Sequence, residues 1–234
     1  MKKYERSDER SYCLGMSLTI EALKHRPEAI TEIILSGKAN RNAQFSSLLE
    51  LCEKEKIAFR CDDETIERLS LKENCYCIAF FDKFDSDLQS DTHIVLYGFD
   101  DFGELGTVLR SAVSFDFSDI VLIDSDIDYF DPRCIRASMG SIFHCNIITY
   151  EKLEDYLKDH PDQNIYPFVS VSDRMLSQVR FEEPYTLIIS QETSKLDELF
   201  QNGIMIDHRG RDEISLSIRS SIVFAQAYHQ KRSR

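Results

Sequence analysis

Basic side chains are the scarce class in this sequence. Its 234 residues hold 28 Lys and Arg against 41 Asp and Glu, a formal net charge of −13. That balance disfavours a protein whose whole surface attracts nucleic acid, because each phosphate contact needs a cation to displace counterions. No apolar run reaches the roughly 18 residues that a membrane-spanning helix needs. The seven cysteines (Cys13, Cys52, Cys61, Cys75, Cys77, Cys134, Cys145) are odd in number and scattered, which excludes a disulfide framework. The one close pair, Cys75 and Cys77, has a single residue between its members and no second ligand pair beside it, so no metal is expected there. The opening MKKYERSDERSYC is charged and lacks the apolar stretch of a signal peptide, and a reduced, cytoplasmic protein is expected. Tryptophan, internal repeats and low-complexity tracts are absent as well.

What is present describes a globular α/β protein. Hydrophobic residues make up 42% of the chain, and the length suits one large or two small domains. Residues 1–90 carry 14 Lys and Arg with 17 Asp and Glu, whereas residues 91–234 carry 14 with 24, so most of the excess acid lies in the second part. The polar stretch 82–92 precedes the strand-like His93-Ile-Val-Leu-Tyr-Gly98 and marks a linker. Domains over residues 1–85 and 86–234 are therefore expected.

Hydrophobic periodicity predicts alternation in both parts. In the first, helices are predicted at Leu18–His25, Asn42–Lys56 and near Asp63–Leu69, with strands at Glu32–Leu35, Ala58–Arg60 and Cys77–Phe81. In the second, strands are predicted at His93–Tyr97, Ile120–Ile123, Phe143–Ile148, Thr186–Ile189 and Ile204–Ile206. Helices are predicted at Gly106–Phe115, Pro132–Ser138, Lys152–Lys158 and about Ser215–His229. Alternation of this kind gives a parallel sheet, with ligands at the carboxyl ends of its strands.

Three loops after apolar strands concentrate the unusual residues. Asp101-Phe-Gly-Glu-Leu-Gly-Thr-Val-Leu-Arg110-Ser-Ala112 runs through two glycines into a helix and could hold an anion at the helix start. It is neither a Walker loop nor G-x-G-x-x-G, and the plain alternative is a tight turn. Arg110 offers forked donors for phosphate or carboxylate, or it pairs with nearby Asp116 or Asp119. The second loop follows Leu187-Ile-Ile-Ser190 and contains Glu192; the third runs from Ile204 to Ser217, where Ser215 could be a helix cap. No Ser/His/Asp order or Cys/His pair stands out, and neither His144 nor His208 has an obvious partner in sequence.

Taken in order, these segments resemble the three motifs of the SpoU/TrmH family of RNA methyltransferases. Asp101, Gly106, Arg110 and Ala112 fit its first motif; Glu192 and Leu196 fit the second; Ile206, Gly210, Ser215 and Leu216 fit the third. The stretch Pro132-Arg-Cys-Ile-Arg-Ala-Ser-Met-Gly-Ser-Ile-Phe143 matches the family's pattern between the first two. The resemblance implies a SPOUT-type trefoil-knotted parallel-sheet methyltransferase domain, preceded by a small α/β substrate-binding domain over about Leu14–Lys83. It also implies a homodimer that transfers methyl groups from S-adenosylmethionine to a ribose 2′-hydroxyl of ribosomal or transfer RNA.

Carried over residue by residue, the resemblance gives Arg110, Glu192 and Ser215 catalytic roles. It sets Ile189, Ser190, Ile206 and Leu216 against the cofactor, and Arg110, Arg133 and Arg136 against RNA. Arg209 and Arg211 complete a candidate basic strip inside the acidic surround. Glu104, Ser190, Lys195, Asp207 and Ser217 depart from the family's Asn, Gly, Gly, Pro and Asn. Those departures leave a second reading open, a knotted homodimer that binds RNA or a protein partner without methyl transfer. An α/β protein with an unrelated ligand is a third.

Overall fold

A computed structural model describes residues 3–70, 75–208 and 214–233. In chain order its elements are β1 (Arg10–Leu14), α1 (Met16–His25), β2 (Ile30–Leu35), α2 (Ala43–Glu55), β3 (Phe59–Cys61), α3 (Asp63–Leu69) and β4 (Cys77–Asp82). Then come β5 (Thr92–Tyr97), α4 (Phe102–Ser114), β6 (Asp119–Ile123), α5 (Pro132–Ala137), β7 (Asn146–Tyr150), α6 (Leu153–Asp159), β8 (Asn164–Pro167), β9 (Tyr185–Ser190), α7 (Thr193–Leu199) and α8 (Leu216–Arg232). The chain divides into two compact units, Met1–Phe84 with Asp128–His144, and Asp85–Ile127 with Cys145–Arg234.

The first unit is built on a mixed sheet of order β1-β4-β2-β3, with β2 and β3 parallel and β4 antiparallel to both its neighbours. Central β4 is buried from Cys77 to Phe81, and helix α1 packs on it and on α2. Side-chain capping sets the helix starts: Asn42 and Asp62 accept the backbone N–H groups of Phe45 and Thr65 at 3.0 Å each. Residues 128–144, which contain α5, belong here rather than with the sheet that follows them in sequence. Apolar burial explains that. Phe81 of β4 contacts the rings of Phe130 and Phe143, and Lys83 pairs with Asp128 at 3.1 Å.

The second unit holds a parallel sheet of order β7-β6-β5-β9-β8. β5, β6 and β9 bury nearly every residue, as strands covered on both faces must. On one face Val95, Val121, Ile123 and Ile188 pack with Leu153 and Tyr156 of α6 and Leu196 of α7. Each such side chain contributes roughly 1.5–3 kcal/mol by leaving water. Helices α4 and α8 pack on one another, with a hydrogen bond between Ser111 and Ser221 hydroxyls at 2.9 Å. Phe117 and Phe224 add a ring contact at 5.6 Å.

Several elements differ from the sequence expectation. Residues 204–206 form no strand: Ile204 and Met205 make isolated bridges to Phe168 and Met175. Strand β8 arises where no element is predicted, and helix α7 follows directly on Glu192 in the second loop. β8 ends in Pro167 and lies at the sheet edge, where the missing N–H does no harm. Both glycines of the first loop lie inside α4, because Asp101 caps it by accepting the Glu104 N–H at 2.8 Å and so starts the helix at Phe102. That cap satisfies one of the free N–H groups at the helix start.

Candidate active site at the carboxyl end of the parallel sheet

The candidate residues of the second unit lie on α4 after β5, at the end of β9 and the start of α7, and around the start of α8. Arg110 stands exposed on α4, two turns from its start, and makes no ion pair among the described residues. Neither expected acidic partner holds it. Asp119 is buried and accepts the Ser90 N–H at 2.6 Å and the Asn146 side-chain amide at 2.8 Å, and Asp116 sits in the left-handed region after α4. Glu192 is exposed as the residue before α7, with no capping hydrogen bond from its side chain. Ser215 has the same situation at the start of α8: it is exposed, and its side chain makes no cap bond. Three polar side chains named from sequence are thus uncommitted among the described residues.

The expected cofactor residues are buried. Ile189 and Ser190 end β9, Ser190 donates its hydroxyl to the Glu192 carbonyl at 2.7 Å, and Leu216 opens α8. Ile206 lines a cleft with Phe168, Val169, Thr193, Ile214 and Arg219. The cleft forms because residues 204–205 are bonded on both sides. Ile204 donates to the Pro167 carbonyl and accepts from Val169, and Met205 donates to Arg174 and accepts from Leu176. The stretch 167–176 therefore folds around residues 204–205.

Arg219 is the residue that sequence reading missed. From the first turn of α8 its guanidinium donates to the Ser190 carbonyl at 2.9 Å and the Gln191 carbonyl at 3.4 Å. It lies far from β9 in sequence, and only its spacing after Ser215 on one helix could have indicated it. Lys195, on α7, places its ammonium beside Gly98 and 3.7 Å from Asp124. Gln191 and Asp100 exchange two bonds, and these tie the loop after β9 to the loop after β5.

Arg133 and Arg136 belong to the first unit. Arg133 clamps Asp131 with two guanidinium bonds at 2.9 and 2.8 Å, which hold it in the charged state, and Arg136 is exposed on α5. Gly210, Arg209 and Arg211 lie outside the described residues.

Against known proteins, the profile of the SpoU rRNA Methylase family matches residues 91–203. That region is similar to the SpoU rRNA Methylase family. It spans β5 to the end of the loop after α7, and so includes the first two motifs of the candidate site. A curated relative, rRNA methyltransferase 3, mitochondrial, from Homo sapiens, is 38% identical over 69 residues. The match covers 28% of this chain but only 16% of the human protein.

Solved structures extend the SpoU likeness to almost the whole chain at the level of fold. An RNA 2′-O ribose methyltransferase superimposes with a TM-score of 0.78 at 18% identity, covering 97% of this chain and 90% of its own. The SpoU methyltransferase AviRb from Streptomyces viridochromogenes, solved in complex with AdoMet, gives 0.77 at 16% identity, covering 96% and 91%. An rRNA methyltransferase from Sinorhizobium meliloti gives 0.73 at 18%, covering 94% and 87%.

Proposed function

We propose that this SpoU-like chain is an S-adenosylmethionine-dependent methyltransferase acting on a ribose 2′-hydroxyl of ribosomal or transfer RNA. The observation that carries the reading is the cleft at the ends of β8 and β9, where the segments matching the second and third motifs meet around residues 167–176. Its composition fits the cofactor. Phe168, Val169, Ile206 and Ile214 offer apolar walls to an adenosyl group, while Thr193, His208 and Arg219 offer polar atoms.

S-adenosylmethionine, when bound, supplies an electrophilic methyl group on a sulfonium. The chain's part is to hold and orient. We assign the backbone around Ile189, Ser190, Ile206 and Leu216 to the cofactor. Arg110 takes the target hydroxyl or its adjacent phosphate through its forked donors, unhindered by any ion pair among the described residues. A ribose hydroxyl is a poor nucleophile, so its position and its proton both need help. Glu192 and Ser215, with uncommitted side chains, are assigned to that role. Arg133 and Arg136 are proposed RNA contacts of the first unit.

We further propose that α8 completes a trefoil knot by following the chain that residues 167–176 enclose, and that two copies form a homodimer. Ile218 and Ile222, one turn apart and exposed on α8, supply apolar surface for the second copy. The seven cysteines, none in a disulfide among the described residues, support a reducing compartment such as the cytoplasm. Among the described residues no helix is long and apolar enough to cross a membrane.

One observation favours the second reading, a knotted homodimer that binds RNA or protein without methyl transfer. Arg219 already occupies the Ser190 and Gln191 carbonyls, and Lys195 adds bulk where the family has glycine. Isothermal titration with S-adenosylmethionine separates the two. Heat of binding together with methyl transfer to RNA supports the enzyme; no heat and no thermal shift at millimolar cofactor, with RNA binding retained, supports the second reading.

A further inference from the structure

Glu21, His25 and His144 converge within the first unit, far from the cleft residues in sequence. Their nearest ligand atoms all lie within 4.8 Å of one another. Glu21 and His25 stand one turn apart on α1, and His144 closes the 3₁₀ turn Ser141–His144. The Glu21 Oε2 atom lies 2.8 Å from His144 Nε2 and 3.8 Å from His25 Nε2. The Oε1 atom of the same carboxylate accepts from Lys24 at 3.3 Å, which leaves Oε2 to the imidazoles. The two ring centroids lie 3.6 Å apart, with the ring planes tilted by 31°.

The backbone is shaped to make this approach. Gly140 adopts φ +85°, and a Cβ on it would stand 3.1 Å from the Glu21 Cβ, so a side chain there would strain the turn and crowd α1. With one carboxylate, the two imidazoles form a His₂Glu donor set. Tetrahedral zinc with bonds near 2.0–2.1 Å needs ligand atoms about 3.3 Å apart, a spacing between the two distances from the Glu21 carboxylate to the ring nitrogens. Partial exposure of all three side chains leaves room for the rings to splay and for water to take the fourth position.

We infer that Glu21, His25 and His144 form a site for a divalent transition metal of the zinc class, which clips α1 to the turn before β7. Zinc salt titrated by calorimetry into untagged full-length protein tests it. The background is a Cys61→Ser/Cys75→Ser variant, because those two cysteines are the ones not buried. The expected result is one equivalent bound per chain, weakened at least tenfold by His144→Ala and by Glu21→Gln. Melting temperature should rise with zinc in the parent and not in either variant. Cobalt(II) should give visible ligand-field bands without a thiolate charge-transfer band. Glu21→Gln keeps the side chain's size and guards against a variant that simply fails to fold. No stoichiometric binding, or binding undiminished in Glu21→Gln, overturns the inference and leaves a hydrogen-bonded His–Glu–His cluster.

Discussion

A Cβ placed on Gly203 would lie 2.3 Å from Cγ1 of Val169. The two residues meet where the stretch 167–176 closes around residues 204–205, so the backbone at Gly203 runs directly against a buried valine. Overpacking of this kind costs about 1–3 kcal/mol. Gly203→Ala should destabilise the protein by that amount in urea unfolding, and Val169→Ala in the same chain should recover part of it. Additive losses in the double variant would contradict the close approach.

Asp119 is fully buried at the start of β6 and serves two donors, the Ser90 N–H and the Asn146 amide. Removing the acceptor strands both. Asp119→Ala should cost about 1–3 kcal/mol in chemical denaturation, beyond what its small volume change explains. An unchanged midpoint would sink this account.

His93 gives the second unit a pH dependence. Burial, reinforced by the neighbouring His160, lowers its pKa from the ordinary 6.5, and its ring nitrogens meet the Tyr156 hydroxyl at 2.9 Å and the Ser90 carbonyl at 3.0 Å. Below pH 6.5 the unfolded chain therefore binds the proton that the fold refuses. This contribution to stability is complete above that pH and falls as pH drops toward the lowered value. Urea midpoints should decline between about pH 7 and about pH 5, and His93→Asn should reduce the slope.

Ser215→Ala is expected to leave stability within about 0.5 kcal/mol, because no side-chain cap bond exists to be lost, where a working cap is worth about 1 kcal/mol. A drop in methyl transfer with an unshifted melting temperature would then report its proposed place near the reacting hydroxyl. A large loss of stability would show instead that Ser215 is a cap.

Arg110→Ala should lower methyl transfer by roughly 10²-fold while leaving S-adenosylmethionine binding and the melting point unchanged. Its side chain is exposed and bears no ion pair among the described residues, so a structural role is not at stake. Equal transfer by the variant would remove Arg110 from the mechanism.

Much of this fold is legible in the residues. The buried runs of β5, β6 and β9 are continuous apolar segments, and periodicity from Asn42 and near Asp63 marks α2 and α3. β8 is obscured because an edge strand ending in proline carries little strand signal, and β1 because five residues with one exposed end show no clear alternation. The site is half legible. Motif order singles out Arg110, Glu192 and Ser215, but no local pattern indicates that Arg219 reaches back 29 residues to the Ser190 carbonyl.

The sequence by itself determined the alternating α/β character, the parallel sheet, the resemblance to the SpoU family and the acidic balance, because each resides in composition, periodicity or short ordered motifs. Tertiary structure alone decided the rest. Residues 128–144 join the first unit because Phe81 offers Phe130 and Phe143 a buried apolar surface. Glu21 meets His144 across 123 residues because Gly140 lets the chain approach α1. Residues 204–205 are held from both sides because buried backbone donors and acceptors must find partners wherever the chain passes. Contacts between distant residues follow from packing and hydrogen-bond satisfaction, and neither leaves a periodic trace in the chain.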